Sequence, residues 1–249
     1  MRLTRVYVDT PLAAGSTARL EGDAANHVIR VLRLRAGDTL TLFDGRGGEF
    51  GGRIAGVQRV AVSVEVGEQR AIERESPLDL TLIQGIARGE RMDLIVQKST
   101  ELGVSRIVPV VSERSVVRLE TGQATKKAAH WRAVAVAACE QCGRNRLPRI
   151  DAPVAYPRAL EEHAAAEGSS SIRVLLEPQA SSALTARLGA VSRIALLVGP
   201  EGGLTELEVE LALRARFEPC RIGPRILRTE TAAFAAVAAI QAIAGDLGS

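Results

Sequence analysis

Cysteine and histidine are scarce in this sequence of 249 residues, which has three of each. Cys139 and Cys142 form a C-x-x-C pair that would suit half of a zinc or redox site, but zinc needs two further ligands. Cys220 stands alone and the histidines are scattered along the chain. We therefore predict no metal site and no disulfide framework, and we expect the cysteines to pack as small apolar side chains.

Long apolar runs are also missing. No stretch approaches the roughly 18 apolar residues that a membrane helix needs, and the N-terminal segment MRLTRVYVDT lacks the apolar core of a signal peptide. Hydrophobic residues make up 46% of the chain and charged residues 24%, which argues against disordered and fibrous classes. We expect a cytoplasmic protein. Its net charge of +3 is compatible with a polyanionic partner without requiring one.

The N-terminal part, from Arg2 to about Arg70, alternates apolar and polar residues in short runs such as TLTLFD and AVSVEV, separated by glycine-rich turns. This pattern is typical of a small antiparallel β-barrel. Within it, the segment DAANHVIRVLRLRAGD predicts a short helix capped at Asp23. The charged stretch ERESPLDL, with Pro77, then indicates a domain boundary near residues 71 to 77.

Beyond this boundary, strands alternate with helices. The segments read as strands are LDLTLIQGIA, SRIVPVVS, SIRVLLEP, RIALLVGP and EPCRIG. Those read as helices are RMDLIVQKSTELG, residues 123–141, SALTARLG, TELEVELALRARF and the alanine-rich TETAAFAAVAAIQAIAG. Such alternation predicts an α/β domain with a parallel sheet covered by helices, and the wide apolar face of the last helix predicts that it is buried.

A glycine-rich loop follows the strand that ends at Val198, in the segment LLVGPEGGLTELE. Glycines at the carboxyl end of a parallel strand let a ligand approach the backbone, and the following helix N-terminus supplies donors. Thr205 and Glu208 fit a capping box at the start of that helix. The spacing matches neither a dinucleotide fingerprint nor a P-loop. A turn that merely connects strand to helix is the alternative interpretation.

A second loop of the same kind occurs in RIGPRILRTETAA, where a strand end is followed by glycine, proline, a basic stretch and a helix start. Loops that follow parallel strands can face one another at the same edge of the sheet. We therefore expect a cleft between the two loops, in which an adenine could lie against backbone groups and apolar side chains. Without further information, these features would suit a nucleotide-binding α/β enzyme that does not act on RNA.

The sequence VGPEGG followed by IGPRILRTETAA resembles the SPOUT superfamily of methyltransferases. ARGERMDLIVQKSTELGVSRIVPVVSERSVV, EQCGRNRLP and HVIRVLRLRAGDTLTLFDGRGGEF resemble one branch, the small-subunit (16S) ribosomal RNA (uracil-N3)-methyltransferases, from about His27 to Gln241. The resemblance implies a PUA-like, RNA-binding β-barrel in residues 1–73 and a SPOUT domain in residues 74–249. It also implies a deep trefoil knot formed by the loops at 199–203 and 223–229, with the alanine-rich helix threaded through.

The resemblance further implies that S-adenosylmethionine is the cofactor and that the two loops hold it, largely through backbone contacts. Carried over position by position, the cofactor-binding residues are Leu176, Glu177, Val198, Gly199, Pro200, Gly202, Gly203, Ile222, Gly223, Leu227, Arg228, Thr229, Thr231 and Ala232.

Methylation of uracil at N3 makes a chemical demand on the enzyme. This imide nitrogen carries a proton at neutral pH, so attack on the methyl group needs a base, or donors that hold negative charge on the flanking carbonyl oxygens. Glu201 is the candidate base, although its place at a helix entry would also keep it ionised. Arg228 and Arg144 are the candidates for stabilising charge, and Asn145 is the candidate for reading a base edge.

Several arginines are candidates for binding RNA, because the guanidinium fork suits phosphate oxygens. For any one of them, a solvated basic surface with ordinary ion pairs is the alternative. The candidate RNA-binding residues are Arg30, Arg33, Arg35, Arg88, Arg91, Arg114, Arg144, Asn145, Arg146 and Arg225.

By the same resemblance, the predicted partners are 16S ribosomal RNA, within the assembled small subunit, and a second copy of the chain in a homodimer. Two alternatives remain open at this point. One is a SPOUT methyltransferase that acts on transfer RNA or on a ribose hydroxyl. The other is a non-catalytic RNA-binding assembly factor that kept the fold, which the intact glycines of both loops disfavour.

Overall fold

A computed structural model describes residues 4–115, 122–164, 170–189 and 191–248. Val116 and Val117, at the end of one segment that carries the family resemblance, lie outside these residues. The chain divides into two compact units. The first consists of Met1–Glu75 and Val136–Leu147, and the second of Ser76–Ala135 and Pro148–Ser249. The first unit thus includes a later segment that sequence analysis assigned to the second domain.

The first unit contains a five-stranded sheet with the order β1-β3-β4-β5-β2. Its strands are β1 (Arg5–Tyr7), β2 (Thr17–Glu21), β3 (Thr39–Phe43), β4 (Glu49–Val57) and β5 (Ala61–Arg70). All neighbouring strands pair antiparallel except β1 and β3, which are parallel. The alternation seen in the sequence reflects this sheet, since Leu20, Leu42, Val62 and Val64 are buried in one core on its inner face.

A short helix, α1 (Gly22–Asn26), follows β2 and continues as a π-helical turn over His27–Leu32. The predicted cap at Asp23 is wrong. Strand β2 ends at Glu21 and the helix begins at the next residue, so Asp23 lies inside the first turn and cannot cap it. The turn ends at Arg33, which has a left-handed φ of 56°. The side chains of Arg30, Arg33 and Arg35 are exposed.

The second unit contains a parallel sheet with the order β12-β10-β11-β6-β7-β8, and β9 also pairs with β7. Its strands are β6 (Asp79–Gly85), β7 (Arg106–Val111), β8 (Arg149–Ile150), β9 (Val154–Ala155), β10 (Ser171–Leu176), β11 (Arg193–Val198) and β12 (Glu218–Cys220). The predicted parallel sheet is confirmed. Sequence analysis missed β8 and β9, because two residues are too few to show a period.

The helices that accompany this sheet are α2 (Glu90–Glu101), α3 (Gln123–Cys142), α4 (Tyr156–Ala164), α5 (Glu206–Arg214) and α6 (Thr229–Ala244). Sequence analysis missed α4. The helix predicted in SALTARLG is wrong, since the segment forms only a 3-10 turn over Leu184–Ala186. The backbone of this segment forms hydrogen bonds with the segment after β12 instead. The N–H of Leu184 donates to the carbonyl of Arg221, and the N–H of Arg221 donates to the carbonyl of Ser182.

The strands of the second unit bury side chains on both faces, as expected for a parallel sheet between helices. One face packs Leu80, Leu82 and Leu196 with helices α2 and α6, and the other packs Ile83 and Leu197 with α4 and α5. Helix α6 buries Ala233, Ala236, Val237 and Ile240, which confirms its predicted burial. No helix within the described residues is long and apolar enough to cross a membrane.

Candidate functional site

A cavity of about 750 Å³ lies in the second unit, at the carboxyl ends of the three adjacent strands β10, β11 and β12. Because all strands of the sheet run in the same direction, their carboxyl ends meet at one edge. The walls come from the segments that follow these strands, at 176–179, 198–204 and 220–228, and from the start of α6. The loops after β11 and β12 flank the end of β10, which explains why they face one another.

The first loop turns tightly between Val198 and helix α5. The N–H of Gly203 donates to the carbonyl of Pro200 at 2.9 Å, and Gly203 has a φ of 69°, a conformation that favours glycine. The predicted capping box is confirmed, because Thr205 accepts from the N–H of Glu208 and the Glu208 carboxylate accepts from the N–H of Thr205. These bonds fix where the loop ends and the helix begins.

The second loop is joined directly to the first through the beginning of α6. The hydroxyl of Thr229 donates to the carbonyl of Gly199 at 2.6 Å, and Nε2 of the buried Gln84 donates to the Thr229 hydroxyl at 2.9 Å. Next to Gln84, a Cβ on Gly85 would collide with Pro200 and lie 2.9 Å from the carbonyl carbon of Gly199. Sequence analysis missed Gln84 and Gly85. The feature of the sequence that could have identified them is a polar residue and a glycine at the end of a buried strand.

Most of the residues predicted to bind the cofactor line this cavity. Gly223 and Thr231 do not, since neither is among the residues of its wall. Lining residues that were predicted for the cofactor are Leu176, Glu177, Val198, Gly199, Pro200, Gly202, Gly203, Ile222, Leu227, Arg228, Thr229 and Ala232. Lining residues that were not predicted include Pro178, Gln179, Leu204, Cys220, Arg221, Ile226 and Glu230. All of these are close neighbours, along the chain, of residues that were predicted.

Glu201 also lines the cavity, but its carboxylate is already hydrogen-bonded. Its Oε1 accepts from the backbone N–H of Arg88 at 2.9 Å and from the Arg91 guanidinium at 3.0 Å. Burial raises the pKa of Glu201, but these donors and the N–H of Glu201 itself outweigh burial and hold the pKa below its usual range. A carboxylate kept ionised in this way is a poor proton acceptor, so the geometry disfavours Glu201 as the base.

A second carboxylate, that of Glu230, lies in the first turn of α6 and lines the same cavity. Its Oε1 is 3.9 Å from Nε of Arg91, so Arg91 lies between the two carboxylates. The other oxygen, Oε2, is buried and has no hydrogen-bond partner among the described residues. A buried carboxylate oxygen without a donor is costly, and a bound ligand that donates to it relieves this cost.

Four of the predicted arginines meet at this cavity: Arg91, Arg114, Arg225 and Arg228. All four residues are exposed. Arg114 also supports the glycine loop, since its guanidinium donates to the carbonyls of Gly202 at 3.2 Å and of Leu204 at 3.3 Å. The cavity therefore combines an apolar interior with a basic rim.

Arg144 and Asn145 lie in the first unit, with 4% and 0% of their surface exposed. Both side chains are used within that unit: Arg144 donates to Glu75 at 2.7 and 3.0 Å, and Asn145 accepts from Arg5 at 2.6 Å. Arg5 is itself buried and forms an ion pair with Glu49. Burial and bonding within the unit disfavour the predicted roles of Arg144 in catalysis and of Asn145 in reading a base edge.

The remaining predicted arginines have accessible side chains. Arg146 is exposed and lies 3.5 Å from Glu73, and Arg88 is exposed beside the glycine loop. Arg30, Arg33 and Arg35 are exposed on the first unit. They are available to bind a phosphate backbone, whereas Arg144 and Asn145 are not.

The cysteines do not suggest redox or metal chemistry. Cys139, Cys142 and Cys220 form no disulfide, and burial raises the pKa of Cys139 to about 12, which keeps it protonated and unreactive. Among the residues that the structure describes, no group of three or more histidine, cysteine, aspartate or glutamate side chains is placed to hold a metal ion.

Family models match both parts of the chain. One described as an RNA methyltransferase domain matches residues 74–241, and one described as an RNA methyltransferase PUA domain matches residues 20–66. The first match includes all the strands and helices that build the cavity. Together the matches confirm the predicted combination of a PUA-like N-terminal part with an α/β methyltransferase part.

Several relatives that match nearly the whole chain carry the name ribosomal RNA small subunit methyltransferase E. The protein of that name from Bacillus subtilis is 35% identical over 90% of this chain and 89% of its own. One from Neisseria gonorrhoeae, solved bound to S-adenosylmethionine, is 38% identical, with a TM-score of 0.88 over 98% of this chain and 99% of that chain. A methyltransferase from Legionella pneumophila, also solved with this cofactor, is 37% identical, with a TM-score of 0.93 over 99% and 100% of the two chains.

Proposed function

The chain belongs to the RNA methyltransferase family whose domain it carries in residues 74–241, and from this we propose that it methylates N3 of a specific uridine in 16S ribosomal RNA. Its cofactor is S-adenosylmethionine, as in the related structures from two bacteria. The observation that carries the proposal is the cavity at the ends of β10, β11 and β12, because its walls suit this cofactor and its rim suits RNA.

The walls fit the two chemically different ends of the cofactor. Leu176, Val198, Ile222 and Ala232 give an apolar surface for an adenine ring, and the glycine loop offers backbone groups at close range. Glu201 and Glu230 put negative charge where a ligand with an ammonium and a sulfonium group would be attracted. When bound, S-adenosylmethionine supplies an activated methyl group, so the protein needs chiefly to align it with the acceptor nitrogen.

The acceptor nitrogen must lose its proton, and the charge that spreads onto the carbonyl oxygens must be held. Arg228, exposed at the cavity and at the N-cap of α6, is placed to donate to such an oxygen. Glu201 accepts two hydrogen bonds, so Glu230, the other of these two carboxylates in the cavity wall, is the better candidate for the base. Glu201 then acts as the charge partner that holds Arg91 in place.

RNA is held by surfaces in each unit. In the second unit, Arg91, Arg114 and Arg225 surround the cavity and are suited to phosphates. In the first unit, Arg30, Arg33 and Arg35 lie within the match to the RNA methyltransferase PUA domain. We assign Arg88 to RNA contact in the second unit and Arg146 to RNA contact in the first, since both residues are exposed.

The proposed acceptor is the assembled small ribosomal subunit in the cytoplasm, and the proposed active form is a homodimer. Curated relatives named for small-subunit ribosomal RNA support the first part of this proposal. The dimer rests on the SPOUT resemblance, as does the trefoil knot. Sedimentation equilibrium of the purified protein tests the dimer, because a concentration-independent mass of one chain would contradict it.

The function is tested by methyl transfer in vitro. Small subunits and free 16S ribosomal RNA, both from a strain that lacks this protein, are incubated with labelled S-adenosylmethionine, and their nucleosides are separated by mass spectrometry. We expect labelled N3-methyluridine in the assembled subunit. Cofactor binding without transfer to either substrate would favour a transfer-RNA acceptor, and no cofactor binding in calorimetry would favour an assembly factor.

A further inference from the structure

Ile226 has the largest exposed fraction, 87%, of the exposed large apolar side chains among the described residues. It lies in the loop between β12 and α6, contributes to the cavity wall and has exposed arginines on both sides, Arg225 and Arg228. A single exposed aliphatic side chain on a surface is ordinary. Ile226, however, stands between two cations at the opening of the cavity. This arrangement suits a ligand that has a flat, apolar face and negative charge at its edges.

The same local pattern occurs once more in the chain. Residues 225–228 read Arg-Ile-Leu-Arg, and residues 30–33 read Arg-Val-Leu-Arg. In both, the arginines are exposed, the leucine is half-buried, and the β-branched residue is exposed, with Val31 at 57%. The segment at residues 30–33 lies within the match to the RNA methyltransferase PUA domain. An exposed aliphatic side chain between arginines is thus a feature of both surfaces to which RNA binding is assigned.

We propose that Ile226 is a wedge that enters the RNA base stack as the target uracil leaves it. This inference rests on the proposed function. N3 is on the pairing edge of uracil, so a paired target must leave its pair and its stack before the nitrogen can reach the methyl group, at a cost of a few kcal/mol. An apolar side chain that fills the vacated space offsets part of that cost, and the flanking Arg225 and Arg228 bind the adjacent phosphates.

The loop is built to present such a wedge firmly. At one end, the N–H of Arg221 donates to Ser182 at 2.9 Å, and at the other the Thr229 hydroxyl donates to Gly199 at 2.6 Å. Isoleucine is stiff at χ1, so little rotamer freedom is lost when its side chain enters a stack. Position and rigidity together suit insertion between bases better than contact with a flexible ligand.

The test compares two acceptors that differ only in how the target uridine is held. Small subunits are reconstituted with 16S ribosomal RNA in which the target is paired, or in which the opposite nucleotide is changed so that it is unpaired. We expect Ile226→Ala to lower kcat/KM about 10-fold on the paired acceptor and to come within about 2-fold of wild type on the unpaired one. Ile226→Val should retain most of the activity. Leu213→Ala, on the outer side of α5 with Leu213 45% exposed, is the matched control and should equal wild type.

A second readout does not depend on catalysis. With S-adenosylhomocysteine bound, the wild-type protein should raise the chemical reactivity of the pairing edge of the nucleotide opposite the target, and Ile226→Ala should not. Calorimetry should show the same cofactor affinity for both proteins. The proposal is overturned if Ile226→Ala lowers kcat/KM equally on the two acceptors, or if it also lowers the affinity for the cofactor. It is likewise overturned if Ile226→Ala dissociates a dimer, which would place a second copy of the chain on Ile226. Absence of N3-methyluridine with the wild-type protein would instead overturn the proposed function.

Discussion

Two arginine-rich segments, at 144–146 and at 225–228, look alike in the sequence and differ completely in the structure. In the first, Arg144 is 4% exposed and bonded to Glu75. In the second, Arg225 and Arg228 are exposed at the cavity. Arg144 is used to hold the first unit together, whereas Arg225 and Arg228 are available to RNA.

The difference lies in what each segment packs against. Residues 144 and 145 follow the end of α3. Arg144 is bonded to Glu75, and Asn145 accepts from Arg5, which in turn pairs with Glu49, so their polar groups are bonded inside the unit. Residues 225–228 follow a short strand at the edge of the parallel sheet and line the cavity. An arginine-rich motif therefore indicates RNA binding only where the surrounding charges leave the guanidinium groups available.

The largest expected effect is a loss of methyl-transfer activity when the segment at 225–228 is changed. Arg228→Ala should lower the rate of methyl transfer roughly 100-fold or more, because it removes a donor to charge that develops in the transition state. The free energy of unfolding should stay unchanged. Single-turnover kinetics with saturating cofactor measure the rate, and Arg228→Lys should recover part of it. A full rate for Arg228→Ala would remove this residue from the mechanism.

The next effect concerns stability. Arg144→Met should lower the free energy of unfolding by roughly 3 kcal/mol, because it removes the ion-pair partner of Glu75 in a largely buried position. Arg146→Met is the matched control. Since the Arg146 side chain is 56% exposed, we expect a change below about 1 kcal/mol. Urea unfolding followed by circular dichroism measures both, and similar values for the two variants would contradict the distinction drawn here.

A third prediction concerns the bond between the two loops. Thr229→Val removes the hydroxyl that joins Gln84 to Gly199, and we expect the cofactor dissociation constant to rise about 10-fold. Thr231→Val tests the sequence prediction for the neighbouring threonine, which is exposed and does not line the cavity. Calorimetry with S-adenosylmethionine compares the two. Equal weakening would show that the cavity wall extends to residue 231.

The smallest effect is a pH dependence. The pKa of Glu201 is held below its ordinary value of 4.5, so the carboxylate contributes stability that is complete above pH 4.5 and is lost as pH falls through the lower folded value. Glu201→Gln should therefore lower the melting temperature slightly at pH 7. The difference in melting temperature between the variant and the wild type, which is the gap to be measured, should close as the pH falls below 4.5. A gap that widens in acid would reverse the assigned direction of the pKa shift.

Much of the cavity could be predicted from the sequence, because its signals are local. Glycine and proline after a strand, and Thr205 with Glu208, report the conformation of a few consecutive residues. The burial of Arg144 and the contact of Gln84 with Thr229 could not be predicted, since each depends on residues far away in the chain. The helix predicted in SALTARLG was wrong for the same reason: Arg221, in the strand-end segment after β12, takes its backbone bonds.

The most direct test of the account is the N3-methyluridine content of 16S ribosomal RNA in a strain that lacks this protein, measured by nucleoside mass spectrometry after complementation. Wild-type protein and the Arg144→Lys variant should restore the modified nucleoside, while Arg228→Ala should not, although it is present and folded. Full restoration by Arg228→Ala would contradict the assignment of the 225–228 segment to the reaction. No N3-methyluridine with the wild-type protein would contradict the proposed function itself.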